Sequence, residues 1–227
     1  EVEKRAVRDS AEQAGAKEVY LLHEPMAAAL GIGIDVEEPV GNMIIDIGGG
    51  TTGITVIALA GIVCDQSIRI AGDEFTADIM EALRRYHSLL IGERTAEQIK
   101  IQVGSAMKDL DNPPDDIPVN GRDLVTGIPK QVMVSYQEVA EALDKSIFKI
   151  EEAILKALET TPPELASDIY RRGLYITGGG ALLRGLDKRL QAKIKLPVHV
   201  ADDPLKSVVR GTGIALKHYD RYPFVMR

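Results

Sequence analysis

Aromatic residues are scarce in this chain, which has no tryptophan among its 227 residues and only 4% aromatic residues in all. Proteins that bind single-stranded nucleic acid stack the bases on aromatic side chains. A formal net charge of −7 also opposes binding to a phosphate backbone. The composition therefore predicts that no nucleic acid is among the partners of this protein.

Cysteine and long apolar runs are scarce as well. The single Cys64 excludes an internal disulfide and is typical of a reducing compartment, with the thiol acting as a small apolar group. The sequence has no run of about 18 apolar residues and no signal peptide, which predicts that it does not cross a membrane. Its 45% hydrophobic and 27% charged residues are ordinary for a globular protein of one large domain or two lobes. Because the chain begins with Glu1 in a helical pattern rather than with Met, we expect further residues upstream.

What the chain does have is a glycine-rich motif, Asp-Ile-Gly-Gly-Gly-Thr-Thr at 46–52, between predicted strands at 43–45 and 54–59. Glycines let backbone N–H groups approach a ligand, and a nest of such groups suits anionic oxygens. The threonines add hydroxyl donors, and Asp46 is placed to hold a hydrated Mg²⁺. No Gly-Lys-Ser/Thr follows, so the motif predicts a phosphate-binding hairpin rather than a Walker loop. An ordinary glycine-rich turn is the alternative.

A second glycine cluster, Gly178-Gly179-Gly180, follows a predicted strand at 174–177 and precedes a predicted helix at 182–194. A strand, a glycine turn and a helix N-terminus together offer free amides and the positive end of a helix dipole to a nucleotide. The spacing is not the Gly-x-Gly-x-x-Gly of dinucleotide folds. Two glycine loops of different geometry in one chain favour a nucleotide site over a plain turn.

Hydrophobic periodicity and turn signals predict alternating helices and strands along the rest of the chain. Further helices are predicted at 2–14, 26–30, 75–86, 96–107, 136–159 and 204–219, a short helix after Pro162-Pro163, further strands at 18–22, 61–70 and 197–200, a turn at 71–73, and a loop at 109–118. Asn120-Gly121 predicts the turn of a hairpin within 117–134. Helices that alternate with strands and antiparallel hairpins predict the α/β class with a mixed sheet.

Six motifs occur in order along nearly the whole chain. They are His-Glu-Pro-Met-Ala-Ala-Ala at 23–29, Asp-Ile-Gly-Gly-Gly-Thr-Thr at 46–52, Ile-Arg-Ile-Ala-Gly-Asp at 68–73, Ile-Gly-Glu-Arg-Thr-Ala-Glu at 91–97, Pro-Pro-Glu-Leu at 162–165 and Thr-Gly-Gly-Gly-Ala-Leu-Leu-Arg-Gly-Leu at 177–186. Together they resemble the MreB family of bacterial actins, which determine rod cell shape. The glycine loops alone also fit the wider superfamily of actins, sugar kinases and heat-shock chaperones, whereas the first and fourth motifs are specific to MreB-like proteins.

The resemblance implies the actin-like ATPase fold, in which ribonuclease H-like mixed sheets flanked by helices form two lobes that close on ATP or ADP with Mg²⁺. It implies that residues 1–38 belong to the first lobe's core and that residues 39–74 and 138–207 form the second lobe's core. Residues 75–137 would form the second lobe's peripheral subdomain, and residues 208–227 would return to the first lobe. The chain would then be the C-terminal two thirds of such a protein, without the first phosphate loop and the membrane-binding segment.

The resemblance also implies a role for individual residues. Glu24 and Thr51 would orient the water that attacks the γ-phosphate, and Asp46 would hold the metal through water. The nucleotide contacts would be Gly48, Gly49, Gly50, Thr51 and Thr52 at the phosphates, Glu97, Gln98, Ile99 and Lys100 at the ribose and adenine, and Gly178, Gly179, Gly180 and Ala181 at the adenosine. Phosphoryl transfer needs positioning and charge stabilisation more than covalent chemistry, so such a set of groups suffices.

Each of these roles has a structural alternative. Glu24 could be an acid that only stabilises the start of a helix. Glu97 and Lys100, which share a helical face, could be a solvated ion pair. Asp73 is interpreted as a residue that fixes a turn. Relatives usually carry an acidic residue directly after the two threonines, where this chain has Gly53, and we expect this change to affect the metal or the γ-phosphate.

The function that the resemblance implies is that of an ATP-binding, filament-forming cytoskeletal protein in the cytoplasm, at the inner face of the cell membrane. Its partners would be further copies of itself, membrane-bound cell-shape and wall-synthesis proteins and, through upstream segments, the membrane surface. ATP hydrolysis to ADP and phosphate is expected of the intact protein, and little of it from this chain because half of the phosphate clamp is missing. A kinase or a chaperone-type ATPase of the same superfamily is the alternative, and an interaction module without nucleotide binding is a third.

Overall fold

Residues 2–226, which the computed structural model describes, form an α/β fold with a five-stranded and a three-stranded sheet. The strands are β1 (Asn42–Ile47), β2 (Thr52–Ala58), β3 (Gly61–Ile68), β4 (Leu89–Leu90), β5 (Ile117–Asp123), β6 (Pro129–Val134), β7 (Leu174–Thr177) and β8 (Val198–Val200). The α-helices are α1 (Val2–Gln13), α2 (Glu24–Gly31), α3 (Gly72–His87), α4 (Glu93–Val103), α5 (Tyr136–Thr160), α6 (Pro163–Arg172), α7 (Leu186–Ile194) and α8 (Ser207–Lys217), and 3₁₀ turns lie at Gly179–Leu182 and Pro204–Lys206. The predicted α/β class is confirmed.

The larger sheet is mixed, with the strand order β3-β2-β1-β7-β8. Strand β1 lies at its centre, antiparallel to β2 and parallel to β7. Asp46 near the end of β1 pairs with Gly53 on one side and with Thr177 on the other. The predicted glycine loops therefore leave neighbouring strands at the same edge of the sheet.

The longest helix, α5, packs the core as its apolar pattern predicts. Its N-terminus carries a capping box, in which the Ser135 hydroxyl accepts from the Glu138 N–H and the Glu138 carboxylate accepts from the Ser135 N–H. Apolar side chains at steps of three and four residues are buried along its length, each contributing about 1.5–3 kcal/mol. The buried members of the predicted stripe are Tyr136, Val139, Leu143, Ile147, Ile150 and Ile154.

Among residues 2–226, no helix combines the length and the apolar character needed to cross a bilayer.

The turn predicted at Asn120-Gly121 is wrong, because both residues lie inside β5. The chain reverses after Asp123 instead, where the Asp123 carboxylate accepts hydrogen bonds from the N–H groups of Val125 and Thr126. Gly121 serves close packing rather than a turn. A Cβ atom there would lie 2.6 Å from the carbonyl oxygen of Leu90 on the neighbouring strand.

Three other predicted elements differ from the structure. Residues 18–22 form no strand, because their one β-contact among residues 2–226 is an isolated bridge between Leu21 and Met226. The predicted turn at 71–73 opens helix α3 instead, because the amides at its start find partners in the first glycine loop. Helix α4 runs from Glu93 to Val103 rather than over 96–107. It stops before Gly104, where a Cβ atom would lie 2.1 Å from the carbonyl of Lys100.

Helices α2 and α8 approach each other so closely that two glycines are required at their crossing. A Cβ atom on Gly31 would lie 1.8 Å from the carbonyl oxygen of Ser207. A Cβ atom on Gly211 would lie 1.7 Å from the carbonyl oxygen of Ala27. Backbone therefore packs on backbone at this crossing, and no side-chain movement could make room for a larger residue.

A buried ion pair joins α5 to α7. The Arg189 guanidinium donates from Nε to Glu151 at 2.6 Å and from Nη1 to Asp144 at 2.8 Å. It also donates to the backbone carbonyl of Ala106 at 3.1 Å. Only 4% of the Glu151 side chain is exposed, so its charge depends on Arg189 for compensation.

We expect Glu151→Ala to lower the free energy of unfolding by about 3 kcal/mol, because it leaves the guanidinium with one carboxylate in a buried setting. Urea denaturation measures this loss. Glu152→Ala is the matched control, since Glu152 is the exposed neighbour on the same helix, and it should change stability by less than about 0.5 kcal/mol. Equal losses in the two variants would contradict the structural role of the pair.

Candidate functional site

A cleft of about 590 Å³ opens between the two glycine loops. Both loops line it, together with the start of α2, the first turn of α3, one face of α4, and the 3₁₀ turn that leads into α8. This volume lies within the range of sites for small molecules and cofactors. The cleft is therefore the candidate functional site.

The first glycine loop presents unengaged backbone amides at the edge of this cleft. Its turn is closed by a hydrogen bond of 3.0 Å from the Gly48 N–H to the Thr51 carbonyl. Within residues 2–226, no hydrogen bond engages the N–H groups of Gly49, Gly50 or Thr51. Three successive amides without partners form a concave donor set that suits an anionic ligand.

The carbonyl groups of the same loop are held by the N-terminus of α3. The Gly72 N–H donates to the Gly48 carbonyl at 3.0 Å, and the Asp73 N–H donates to the Gly49 carbonyl at 2.8 Å. Helix N-termini have amides that lack intrahelical partners, and here the loop satisfies two of them. Asp73 also lines the cleft through its side chain. Its interpretation as a turn residue missed this position, which only the folded contact of α3 with the loop reveals.

Asp46 lies half-buried at the end of β1, where burial and, second, the charge of Glu24 raise its pKa from 3.8 to about 6. A divalent cation would offset both effects, so the residue fits a metal site. The described residues contain no group of three or more His, Cys, Asp or Glu side chains able to hold a metal. Mg²⁺ is usually bound in proteins through one or two carboxylates that combine with phosphate and water ligands.

The raised pKa of Asp46 makes stability depend on pH. Without Mg²⁺, the unfolded chain loses this proton near pH 3.8 and the folded chain only near pH 6, so stability falls as the pH rises through this window. Asp46→Asn cannot ionise and should be about 1–2 kcal/mol more stable than the wild type at pH 7.5, after allowance for solvent screening. At pH 3.5 the two should be equal. Urea midpoints without Mg²⁺ measure the difference, and a difference that is independent of pH would refute this assignment.

The second glycine loop packs directly against Asp46. Gly178 has a φ of +82°, and a Cβ atom on it would lie 2.4 Å from both Asp46 Oδ1 and the Ile47 carbonyl oxygen. A Cβ atom on Gly180 would lie 2.2 Å from Ile47 Cγ2. The glycines thus bring the two loops into contact. The predicted helix start at 182 is wrong, since a 3₁₀ turn at Gly179–Leu182 begins within the loop and α7 begins only at Leu186.

Helix α4 contributes two of its four predicted contact residues to the cleft. Glu97 and Lys100 share one helical face and form an ion pair of 2.6 Å. Burial raises the pKa of Glu97, but hydrogen bonds from Lys100 and Thr76 outweigh it and hold this pKa below its ordinary value. Gln98 is exposed on another face and Ile99 is buried in the core, as the helical repeat requires.

The predicted threonines have different surroundings. Thr51 is exposed and lines a recess of about 190 Å³ next to the cleft, together with Glu24 and Asp46. Thr52 is buried, and its hydroxyl donates to the carbonyl of Ile70 at 2.7 Å. The Thr52 side chain is therefore engaged within the protein.

The remaining predicted residues meet around the cleft. The predicted residues that line it are Glu24, Asp46, Gly48, Gly49, Glu97, Lys100, Gly178, Gly179 and Gly180. Gly50 lies next to them in the first loop, and Ala181 is buried behind the second. A Cβ atom on Gly53 would meet no atom within 4 Å, so packing does not require glycine there.

Both charged and apolar side chains line the cleft. Four carboxylates line it, and Lys100 is the one cation among the described lining residues. A polyphosphate would meet net repulsion from these carboxylates unless a divalent cation accompanied it. Six apolar side chains, together called the apolar wall, also line the cleft, and sequence analysis identified none of them as site residues. They are Phe75, Ile101, Leu182, Leu183, Leu205 and Val208.

Comparison with solved structures defines the class of protein. The structure matches MreB5 of Spiroplasma citri bound to AMPPNP with a TM-score of 0.93 and 40% sequence identity, over 97% of this chain and 66% of that one. A second structure of MreB5 is bound to ADP, with the same score and identity. The MamK double helical filament matches with a TM-score of 0.69 and 25% identity, over 88% of this chain and 59% of that one. The fold is the actin-like ATPase fold.

Comparison of sequences defines the family. A family model described as MreB/Mbl protein matches residues 1–223, and the chain belongs to this family. It is 48% identical over 222 residues to the cell shape-determining protein Mbl of Bacillus subtilis, and 49% identical over 225 residues to the cell shape-determining protein MreB of Escherichia coli. Each match covers 98% of this chain, which spans 66% and 63% of the length of these two relatives.

Proposed function

We propose that the cleft binds an adenine nucleotide together with Mg²⁺. The observation that carries this proposal is the set of unengaged amides at Gly49, Gly50 and Thr51, placed beside the half-buried carboxylate of Asp46. Phosphate oxygens would accept hydrogen bonds from these amides, and the metal would offset the carboxylate charge. MreB5 of Spiroplasma citri, which shares the fold, has been crystallised with AMPPNP and with ADP, and this supports the same ligand class here.

The proposed roles follow the positions of the side chains. Asp46 holds the hydrated Mg²⁺, which supplies charge neutralisation at the phosphates. Glu24 and Thr51, which line the recess beside the first loop, orient a water molecule for attack on the γ-phosphate. The second glycine loop and the apolar wall receive the adenosine. Hydrolysis to ADP and phosphate is the activity we propose for the intact protein.

We propose that the intact protein is a filament-forming, cell shape-determining ATPase at the inner face of the cell membrane, which guides wall synthesis with membrane-bound partners. Its relatives Mbl of Bacillus subtilis and MreB of Escherichia coli are cell shape-determining proteins. The filament of the structurally similar MamK supports self-association. The family assignment favours this function over a metabolite kinase or a chaperone.

We also propose the division into lobes that the family resemblance implies. Residues 39–74 and 138–207 contain all five strands of the larger sheet, which supports one core subdomain. Residues 75–137 contain the three-stranded sheet and form the peripheral subdomain. The close packing of α2 on α8 supports the assignment of 1–38 and 208–227 to the other lobe.

Calorimetric titration of Mg·ATP and Mg·ADP into the chain tests the site. We expect saturable binding that Asp46→Ala weakens at least about tenfold, because the mutation removes the carboxylate that holds the cation. Asp116→Ala, at an exposed loop carboxylate, is the control for loss of one negative charge and should bind like the wild type. Equal binding by wild type and Asp46→Ala would refute the metal role, and no binding by the wild type would refute the site in this chain.

A further inference from the structure

Asp73 contributes a carboxylate to the cleft, and the proposed function gives this carboxylate no role. Of the other acidic residues that line the cleft, Asp46 is assigned to the metal and Glu24 to the attacking water. Glu97 forms an ion pair of 2.6 Å with the lysine three residues further along its helix. Among residues 2–226, the carboxylate of Asp73 has no hydrogen bond and no ion pair. Its negative charge therefore faces the cleft without a partner in this part of the chain.

The carboxylate of Asp73 lies against the first glycine loop. A Cβ atom on Gly49 would lie 3.5 Å from Asp73 Oδ1 and 3.7 Å from Oδ2, and a Cβ atom on Gly50 would lie 3.8 Å from Oδ2. The backbone is held at the same place, because the Asp73 N–H donates to the Gly49 carbonyl at 2.8 Å. A negative charge is thus placed beside the loop whose unengaged amides are proposed to bind phosphate.

Helix α3 suits a negative charge at this position. Asp73 lies in the first turn of the helix, where the helix dipole stabilises anionic side chains. An aspartate side chain is short, so the carboxylate stays close to a backbone that the loop itself holds. The charge is therefore a fixed part of the surroundings of the loop.

A fixed negative charge beside the amides acts differently on the two forms of a polyphosphate. Free ATP or tripolyphosphate brings its full negative charge to the loop, and the carboxylate repels it. A bound divalent cation offsets much of that charge, and Mg²⁺ combines readily with phosphate oxygens. The carboxylate therefore penalises the free form more than the complex.

We propose that Asp73 is a specificity-determining residue, which makes the first glycine loop select polyphosphates complexed with Mg²⁺ over free ones. This inference rests on the proposed function and assigns a task to a carboxylate that it does not use. Asp46 attracts the cation, whereas Asp73 repels phosphate that arrives without one. The two carboxylates therefore enforce the same selection by different means.

Calorimetric titration of Asp73→Asn with ATP in EDTA and with Mg·ATP tests the proposal. Free ATP should bind this variant about tenfold or more tightly than the wild type, because the repelling charge is gone. The affinity for Mg·ATP should stay within about threefold, since the cation already offsets the phosphate charge. Asp73→Ser, a second neutral variant, should give the same result, and Asp73→Glu, which keeps the charge, should keep the wild-type preference.

Glu74→Gln is the matched control. It removes the same charge from the next residue of α3, which is exposed and is not among the described residues that line the cleft. Both affinities should therefore stay within about twofold of the wild type. A urea midpoint close to that of the wild type shows that each variant is folded.

Ionic strength distinguishes repulsion by a charge from a change in the shape of the loop. The Debye length falls from about 10 Å at 0.1 M salt to about 3 Å at 1 M salt. The gain of Asp73→Asn for free ATP should shrink severalfold over this range. A gain that is independent of salt would overturn the proposal.

The remaining outcomes also decide the matter. The same preference for Mg·ATP in the wild type and in Asp73→Asn would overturn the proposal. A loss of Mg·ATP binding in this variant would overturn it as well, because Asp73 would then help to hold the metal. If the wild type bound neither form, the proposed function would fail in this chain. Binding of free tripolyphosphate gained by Asp73→Asn would still support the repulsion, and no gain would refute it.

Discussion

Gly211→Ala is expected to lower the free energy of unfolding by about 3–5 kcal/mol and to push α8 away from α2. The new Cβ atom would lie 1.7 Å from the carbonyl oxygen of Ala27, far inside contact distance. Both colliding groups are attached to helix backbone, so only a shift of a whole helix can relieve the overlap. The loss should therefore exceed that of an ordinary overpacked side chain.

The same helix offers a matched control. Gly213 lies two residues away, and a Cβ atom there would meet no atom within 4 Å. Gly213→Ala should raise stability by about 0.5–1 kcal/mol, since alanine favours the helix more than glycine does. Urea denaturation of the two variants measures the contrast. Similar midpoints for both would show that α2 and α8 do not pack as closely as the structure has them.

The crossing of α2 and α8 also bears on the cleft. Glu24 is the first residue of α2, and the 3₁₀ turn that contributes Pro204 and Leu205 leads directly into α8. A shift between the helices moves these two walls relative to each other. We therefore expect Gly211→Ala to weaken Mg·ATP binding as well, although Gly211 does not line the cleft.

Gly178→Ala should abolish Mg·ATP binding, with a loss of at least about a hundredfold, and lower stability by about 3 kcal/mol. Two separate effects combine at this position. A φ of +82° is unfavourable for alanine. The added Cβ atom would also lie 2.4 Å from Asp46 Oδ1, the carboxylate proposed to hold the metal. The substitution therefore displaces either the second loop or Asp46.

Gly33→Ala separates these two effects. Gly33 has a φ of +84°, and a Cβ atom there would meet no atom within 4 Å. This variant should lose only the conformational part, about 1–2 kcal/mol, and bind Mg·ATP like the wild type. Calorimetric titration and urea denaturation of both variants provide the comparison. Binding by Gly178→Ala at wild-type affinity would contradict the contact between the second loop and Asp46.

Local signals predicted the elements whose burial follows a simple repeat. The apolar stripe of α5 and the apolar run of β1 are examples, because the burial of one helix face or of one strand determines the pattern of each. Asn120-Gly121 shows the limit. The dipeptide is a strong turn signal, yet the glycine is needed where β5 passes the Leu90 carbonyl. Contacts between strands distant in sequence cannot be recognised from a dipeptide.

The candidate site was predictable in its glycine loops and less so in its side chains. The two loops could be placed because glycine turns that follow strands let backbone amides approach phosphate groups closely. The hydrogen bonds of the Thr52 hydroxyl and of the Lys100 ammonium could not be predicted from the sequence. Their partners, the carbonyl groups of Ile70 and Gly72, are brought close only by folding. Asp73 was missed for the same reason, as its approach to the first loop depends on the position of α3.

The proposed function depends most on the binding of phosphate oxygens by the unengaged amides of the first glycine loop. Nuclear magnetic resonance titration of the chain with Mg·AMPPNP, followed at the backbone amides, tests it most directly. We expect saturable changes that are largest at Gly49, Gly50 and Thr51, with further changes at Gly179 and Gly180 in the second loop. Saturable changes centred elsewhere, with the amides of Gly49 to Thr51 unmoved, would contradict it.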